Sequence, residues 1–91
     1  MEREVRRALL FQGKVQGVGF RYTAQHAAER CGATGWVKNN YDGSVSLEIQ
    51  GTDAVFDRFL GMLLNNPFIR IDNMEVETIP LSDEDDGFVI R

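Results

Sequence analysis

Ser44-Val45-Ser46-Leu47-Glu48-Ile49-Gln50 alternates polar and apolar residues without a break. A period of two puts Val45, Leu47 and Ile49 on one side and Ser44, Ser46, Glu48 and Gln50 on the other, which describes a strand with one face on a core. Immediately upstream, Asn40-Tyr41-Asp42-Gly43 has turn chemistry, with Gly43 free to take positive φ. The stretch 33–39, which carries Trp36 and Val37, is then a strand antiparallel to the first. Further back, Phe20, Ala24, Ala27, Ala28 and Cys31 recur at helical spacing, with Gly32 at the position of a C-cap. Residues 6–15 precede that helix as a strand with Leu9 and Phe11 on one face.

Downstream, Thr52 reads as an N-cap and Asp53 favours the positive helix start. Val55, Phe56, Phe59, Leu60, Leu63 and Leu64 form a helical stripe that ends before Pro67. A strand follows over 69–80, with Ile71, Met74, Val76 and Ile79 apolar, and Phe88-Val89-Ile90 adds a short closing strand after an acidic turn. The order is β-α-β-β-α-β plus a short C-terminal strand. That is an α+β, ferredoxin-like sandwich with two helices on one face of an antiparallel sheet. No repeat or low-complexity linker divides the 91 residues, so a single domain over 1–91 is expected.

Composition narrows the function. The chain is 43% hydrophobic with a net charge of −4, which disfavours disorder. No apolar run approaches a membrane span, and Met1-Glu2-Arg3-Glu4 has no apolar core of a signal peptide. The single Cys31 excludes an internal disulfide and a cysteine metal cluster, so a cytoplasmic, reducing setting is expected. Residues 1–38 hold seven basic and three acidic side chains, and residues 39–91 hold three and eleven. The acidic total argues against nucleic acid as a partner but leaves room for a small anion site in the basic half.

The stretch that carries chemistry is Gly13-Lys14-Val15-Gln16-Gly17-Val18-Gly19-Phe20-Arg21. A strand breaks into glycines and runs straight into a helix, which can turn several backbone N–H groups toward one point. The unpaired amides of the helix start add positive character. Arg21 falls in the first helical turn, where the dipole disfavours a cation, so an anion held by its guanidinium fits the position. A tight turn with a surface arginine fits it too, and spacing alone does not choose. Dinucleotide and nucleoside-triphosphate loops do not match. A right-handed strand–helix–strand unit brings Asn39, at the end of the second strand, to the same sheet edge as the glycine loop. There it could reach a water beside an anion, although its pattern fits a plain hairpin residue better.

These residues, together with Gly35-Trp36-Val37-Lys38-Asn39, Asp42-Gly43-Ser44-Val45 and Phe88-Val89-Ile90-Arg91, resemble the paired signature of the acylphosphatases over nearly the whole chain. Only Asn65-Asn66-Pro67-Phe68-Ile69-Arg70 matches loosely. The resemblance implies a hydrolase that splits the carboxyl–phosphate bond of acyl phosphates such as acetyl phosphate, carbamoyl phosphate or 1,3-bisphosphoglycerate. It implies that Arg21 binds the phosphate, that Asn39 orients the attacking water, and that the backbone amides of Gln16, Gly17, Val18, Gly19 and Phe20 form the cradle. It further implies no cofactor, no metal and no phosphoenzyme, a small-molecule acyl phosphate as substrate and inorganic phosphate as product and inhibitor. No nucleic-acid or membrane partner is expected, and the chain is expected to be a monomer.

The remaining residues have plainer expectations. His26 is solvated, Cys31 is a buried small hydrophobe, Trp36 packs in the core or at its rim, and Tyr22 could border the site but fits surface packing better. The acidic run Asp83 to Asp86 fails the calcium-loop pattern and reads as a solvated turn. Lys14 and Arg7 add positive field near the cradle. Two other functions compete: a non-catalytic phosphate or carbamoyl-phosphate binding module, disfavoured by a chain that ends at Arg91, and an RNA-binding sheet. The latter needs exposed aromatics where the strand 44–50 offers Ser44, Ser46 and Glu48.

Overall fold

The computed structural model describes residues 2–91. Its elements are β1 (Val5–Lys14), α1 (Phe20–Cys31), β2 (Thr34–Asn39), β3 (Val45–Gly51), α2 (Asp53–Leu64), β4 (Arg70–Ile79) and β5 (Phe88–Ile90). The strands form one sheet in the order β4-β1-β3-β2-β5. β3 pairs antiparallel with both β1 and β2, and β4 pairs antiparallel with β1. The mixed α+β, ferredoxin-like order is therefore the one the hydrophobic pattern predicts.

One edge departs from an all-antiparallel sheet, because β5 runs parallel to β2, matching Gly35 with Phe88 and Val37 with Ile90. The chain itself explains the direction. β4 ends where Ile79 faces Arg6, and the segment 80–87 then passes along that same end of the sheet. Gln50 stitches it there, its side chain exchanging two 2.9 Å hydrogen bonds with the backbone of Ser82. A strand that starts from the end where its predecessor stopped must run back the other way.

The alternation in β3 is reproduced in its burial: Val45, Leu47 and Ile49 are buried, and with Leu9, Phe11 and Val37 they form the sheet side of the core. Ala24, Ala27 and Ala28 of α1 and Phe59 and Leu63 of α2 close it from above. Each fully buried large side chain contributes about 1.5–3 kcal/mol. Thr52 caps α2 by accepting the Val55 N–H at 3.2 Å, and the Gly32 N–H closes α1 onto the Ala28 and Glu29 carbonyls.

Several simpler expectations are corrected. Leu64, at the last turn of α2, is 57% exposed. Met74 and Val76 are exposed because β4 is an edge strand reaching past the helices. Cys31 is half-buried, its Sγ 3.7 Å from the Met62 Sδ. Trp36 lies on the helix-free face, with the Arg91 guanidinium 4.8 Å above its ring. Ser44 is buried, not solvent-facing. The acidic turn is not wholly solvated, since Asp85 and Glu48 both pair with Arg6, itself only 3% exposed on the open face. Burial alone would lower the Arg6 pKa, but the hydrogen bonds to Asp85 and Glu48 outweigh it and raise the pKa. No helix is long and apolar enough to cross a membrane among the described residues.

Candidate active site

The loop between β1 and α1 is staked into the core at both ends. Val15 is fully buried, and Phe20, the first residue of α1, is buried with its ring 5.1 Å from that of Phe11. Val18 packs its side chain against the same core. Chain that must leave the sheet at Val15 and return by Phe20 has to curl, and Gly17 (φ 73°) and Gly19 (φ 78°) take the left-handed conformations that allow it. A Cβ at either would meet nothing within 4 Å, so the demand for glycine is torsional rather than steric.

The start of α1 is left open. Its N-cap Gly19 offers no side-chain acceptor and its first turn has no acidic residue, whereas α2 is capped by Thr52 and begins with Asp53. The first N–H groups of α1 have no intrahelical partners and carry the positive end of the helix dipole.

A cavity of about 180 Å³ lies beside this loop. Gln16, Gly17, Gly19 and Phe20 line it from the loop and helix start, Arg21 from the first turn of α1, and Asn39 from the last residue of β2. The topology brings them together: β1 and β2 are both antiparallel to β3, so their C-terminal ends lie at one edge of the sheet. The Asn39 Oδ1 is buried and accepts no hydrogen bond among the described residues. An acceptor withdrawn from bulk water and left unmatched is costly unless something donates to it. Arg21 is half-buried and enters no ion pair among the described residues. Arg21 and Asn39 thus line one small cavity, the first bringing a cation and the second an unmatched acceptor.

Amide side chains hold the walls in place. Gln16 Nε2 donates to the Asn40 carbonyl at 2.8 Å and the Ser44 carbonyl at 2.9 Å, strutting the loop against the β2–β3 hairpin. Asn40 Nδ2 donates to the Ser44 and Ser46 hydroxyls at 3.0 and 2.8 Å. Asp42 accepts from the Ser44 hydroxyl and from the Ser44 N–H, and these bonds hold its carboxyl below the usual 3.8. The hairpin that presents Asn39 is thereby tied to the loop that precedes Arg21.

A model of the acylphosphatase family matches residues 7–90. The chain belongs to the acylphosphatase family. It is 44% identical over 81 residues to the acylphosphatase of Pediococcus pentosaceus, covering 87% of this chain and 89% of that one. Among solved structures, the acylphosphatase of Bacillus subtilis superposes with a TM-score of 0.86 at 31% identity, covering 96% of this chain and 98% of that one. Full-length HypF in its phosphate- and nucleotide-bound form also gives 0.86 at 28% identity, with this chain spanning only 12% of its length.

Measured against an acylphosphatase pattern, the sequence-predicted residues Arg21, Asn39, Gln16, Gly17, Gly19 and Phe20 meet at one cavity, while the Val18 side chain turns into the core. Tyr22 lines the rim of the cavity, although it is 75% exposed. Arg7 belongs elsewhere: it pairs with Asp53 and lies 4.3 Å from the Phe56 ring, near the far end of β1. His26 is exposed. Sequence reasoning missed the struts made by Gln16 and Asn40. Their only signal is that loops otherwise suited to small turn residues carry long or doubly functional amides.

Proposed function

We propose that this chain hydrolyses acyl phosphates to a carboxylate and inorganic phosphate. Arg21 and the backbone amides from Gln16 to Phe20 grip the phosphate, and Asn39 steers the attacking water. The support is one juxtaposition: Arg21, half-buried and without an ion pair among the described residues, and Asn39, whose carboxamide oxygen is buried without a donor among them, line the same 180 Å³ cavity beside an uncapped helix start. The carboxamide oxygen can only accept, and the O–H of a water is a donor that suits it.

Phosphoryl transfer passes through a loose transition state that needs positioning and charge stabilisation more than a strong nucleophile. The guanidinium fork and fixed amides supply the stabilisation along the phosphoryl oxygens. With its oxygen holding one water proton, Asn39 aims the water lone pair at phosphorus. As the bond to phosphorus forms, the bond to the carboxylate oxygen breaks. The carboxylate leaves without needing a proton, and the water's second proton passes to a phosphate oxygen. No side-chain base is required. Inorganic phosphate fits the same cradle and acts as product and competitive inhibitor of a cytoplasmic, monomeric enzyme.

The test is turnover of acetyl, carbamoyl and an aromatic acyl phosphate without added metal, beside a phosphate monoester that should not turn over. Arg21→Ala is expected to lose about 10³ in rate and Asn39→Ala about 10² or more, both with native circular dichroism. Wild-type turnover in both variants would overturn the assignment. A second reading, a phosphate-binding module without turnover, draws on the likeness to a segment of the much longer HypF. Phosphate binding by a wild-type chain inert toward every acyl phosphate would favour it.

A further inference from the structure

Asn66 stands in the connection from α2 to β4, 48 residues from the loop it reaches. Its Nδ2 donates to the Val18 carbonyl at 3.3 Å and to the Thr23 hydroxyl at 3.0 Å. Its Oδ1 accepts the Phe68 N–H at 2.9 Å, which fixes which end of the amide faces α1. The backbone of Asn66 is engaged as well, its N–H on the Leu63 carbonyl and its own carbonyl on the Ile69 N–H. Pro67 follows and restricts the turn. Every polar group of this residue is committed, so its amide is a fixed post.

That post acts on one of the two peptides of the cradle that precede a positive-φ glycine. A trans peptide is planar, so its C=O and N–H point in opposite directions. The unit joining Val18 to Gly19 is followed by a glycine at φ 78°, for which rotation of the preceding peptide meets little resistance. Holding the Val18 carbonyl out toward Asn66 turns the Gly19 N–H to the opposite side. Gly19 lines the cavity there, whereas the Val18 side chain is turned into the core. Thr23, the second partner, is itself bonded through its N–H to the Gly19 carbonyl at 2.9 Å. Both sides of Gly19 are therefore referred to Asn66.

We infer that Asn66 is a positioning residue for the anion cradle: it locks the Val18–Gly19 peptide in the orientation that presents the Gly19 N–H to a bound phosphate. This rests on the hydrolase reading above and deepens it. A cradle amide already grips the phosphoryl group in the ground state, so most of its loss falls on KM and on phosphate inhibition, and the smaller part that it adds in the transition state falls on kcat.

The experiment titrates inorganic phosphate into the full chain and follows the Gly19 amide by nuclear magnetic resonance, beside KM, kcat and melting temperature. Asn66→Ala removes the post. Asn66→Ser keeps an oxygen for the Phe68 N–H, adds no charge and is too short to hold Val18. Both variants should bind phosphate about tenfold more weakly, with a raised KM, a smaller change in kcat and a blunted Gly19 response. If Asn66→Ala fails to fold, Asn66→Ser decides. Wild-type phosphate affinity and Gly19 response in Asn66→Ser would overturn the inference while leaving an active wild type intact as a hydrolase. Weakened phosphate binding in the variants of a wild type that turns over nothing would uphold the clamp and sink the hydrolase.

Discussion

Asn39 and Asp42 stand three residues apart in one hairpin, and their hydrogen bonding sets them on opposite courses. The Asn39 oxygen is buried without a donor among the described residues, whereas the exposed Asp42 carboxylate accepts from the Ser44 hydroxyl and N–H, both on Oδ1. Those two bonds have a consequence in acid. Because the folded Asp42 pKa lies below its ordinary 3.8, its contribution is fully present above that value and is lost as the pH falls through the lower folded pKa. Melting curves from about pH 5 down to about pH 2 should show the wild type losing more of its melting temperature than Asp42→Asn does over the same window. Parallel curves would show that the bonds to Ser44 do not stabilise the hairpin. At this scale the sequence is only half legible. Arg21 stands out by sitting where a helix dipole disfavours a cation, although a surface arginine fits the spacing as well, and Asn39 reads better as a turn residue until its surroundings are known. Asn66 gave no local signal at all, because what it touches lies 43 residues and more away.

Elements decide whether those residues can meet. The β1–α1 turn works because Val15 and Phe20 are sunk into the core and the glycines between them absorb the curl. Gly19→Ala has room for its methyl but not the torsion, so we expect it to destabilise the chain by about 1–2 kcal/mol in urea denaturation. Phosphate affinity should fall as well. An unchanged unfolding midpoint would mean that the turn relaxes without strain. The elements themselves were legible because their periods are strong: the unbroken alternation of β3 and the alanine stripe of α1 admit few other readings. The long β4 was legible in extent but not in burial. Its apolar Met74 and Val76 look like core positions, yet an edge strand beyond the helices leaves them in solvent.

The whole molecule adds what neither scale contains. Arg6 anchors the 80–87 crossing by pairing with Asp85 and with Glu48 at 2.9 Å, while nearly all of its surface is covered. Removing that cation strands two carboxylates, one of them 11% exposed, so Arg6→Ala should lower the unfolding free energy by about 3 kcal/mol. Arg6→Met, which keeps the stem's packing, should lose less only if packing rather than charge dominates. Equal stability of Arg6→Ala and wild type would show the pair to be incidental. Such a tie was invisible in the sequence, where Asp83 to Asp86 is simply an acidic run and Arg6 the start of an alternating strand. By itself the sequence determined the order of strands and helices, the inward faces of β1 and β3, and the glycine turn that opens α1, because these follow from local period, caps and torsions. Only the tertiary structure decided the parallel edge at β5, the burial of Arg6, and the amide struts that tie the hairpin of Asn39 to the loop before Arg21. Those depend on where segments far apart in the chain come to rest, and a short-range pattern carries no information about a long-range contact.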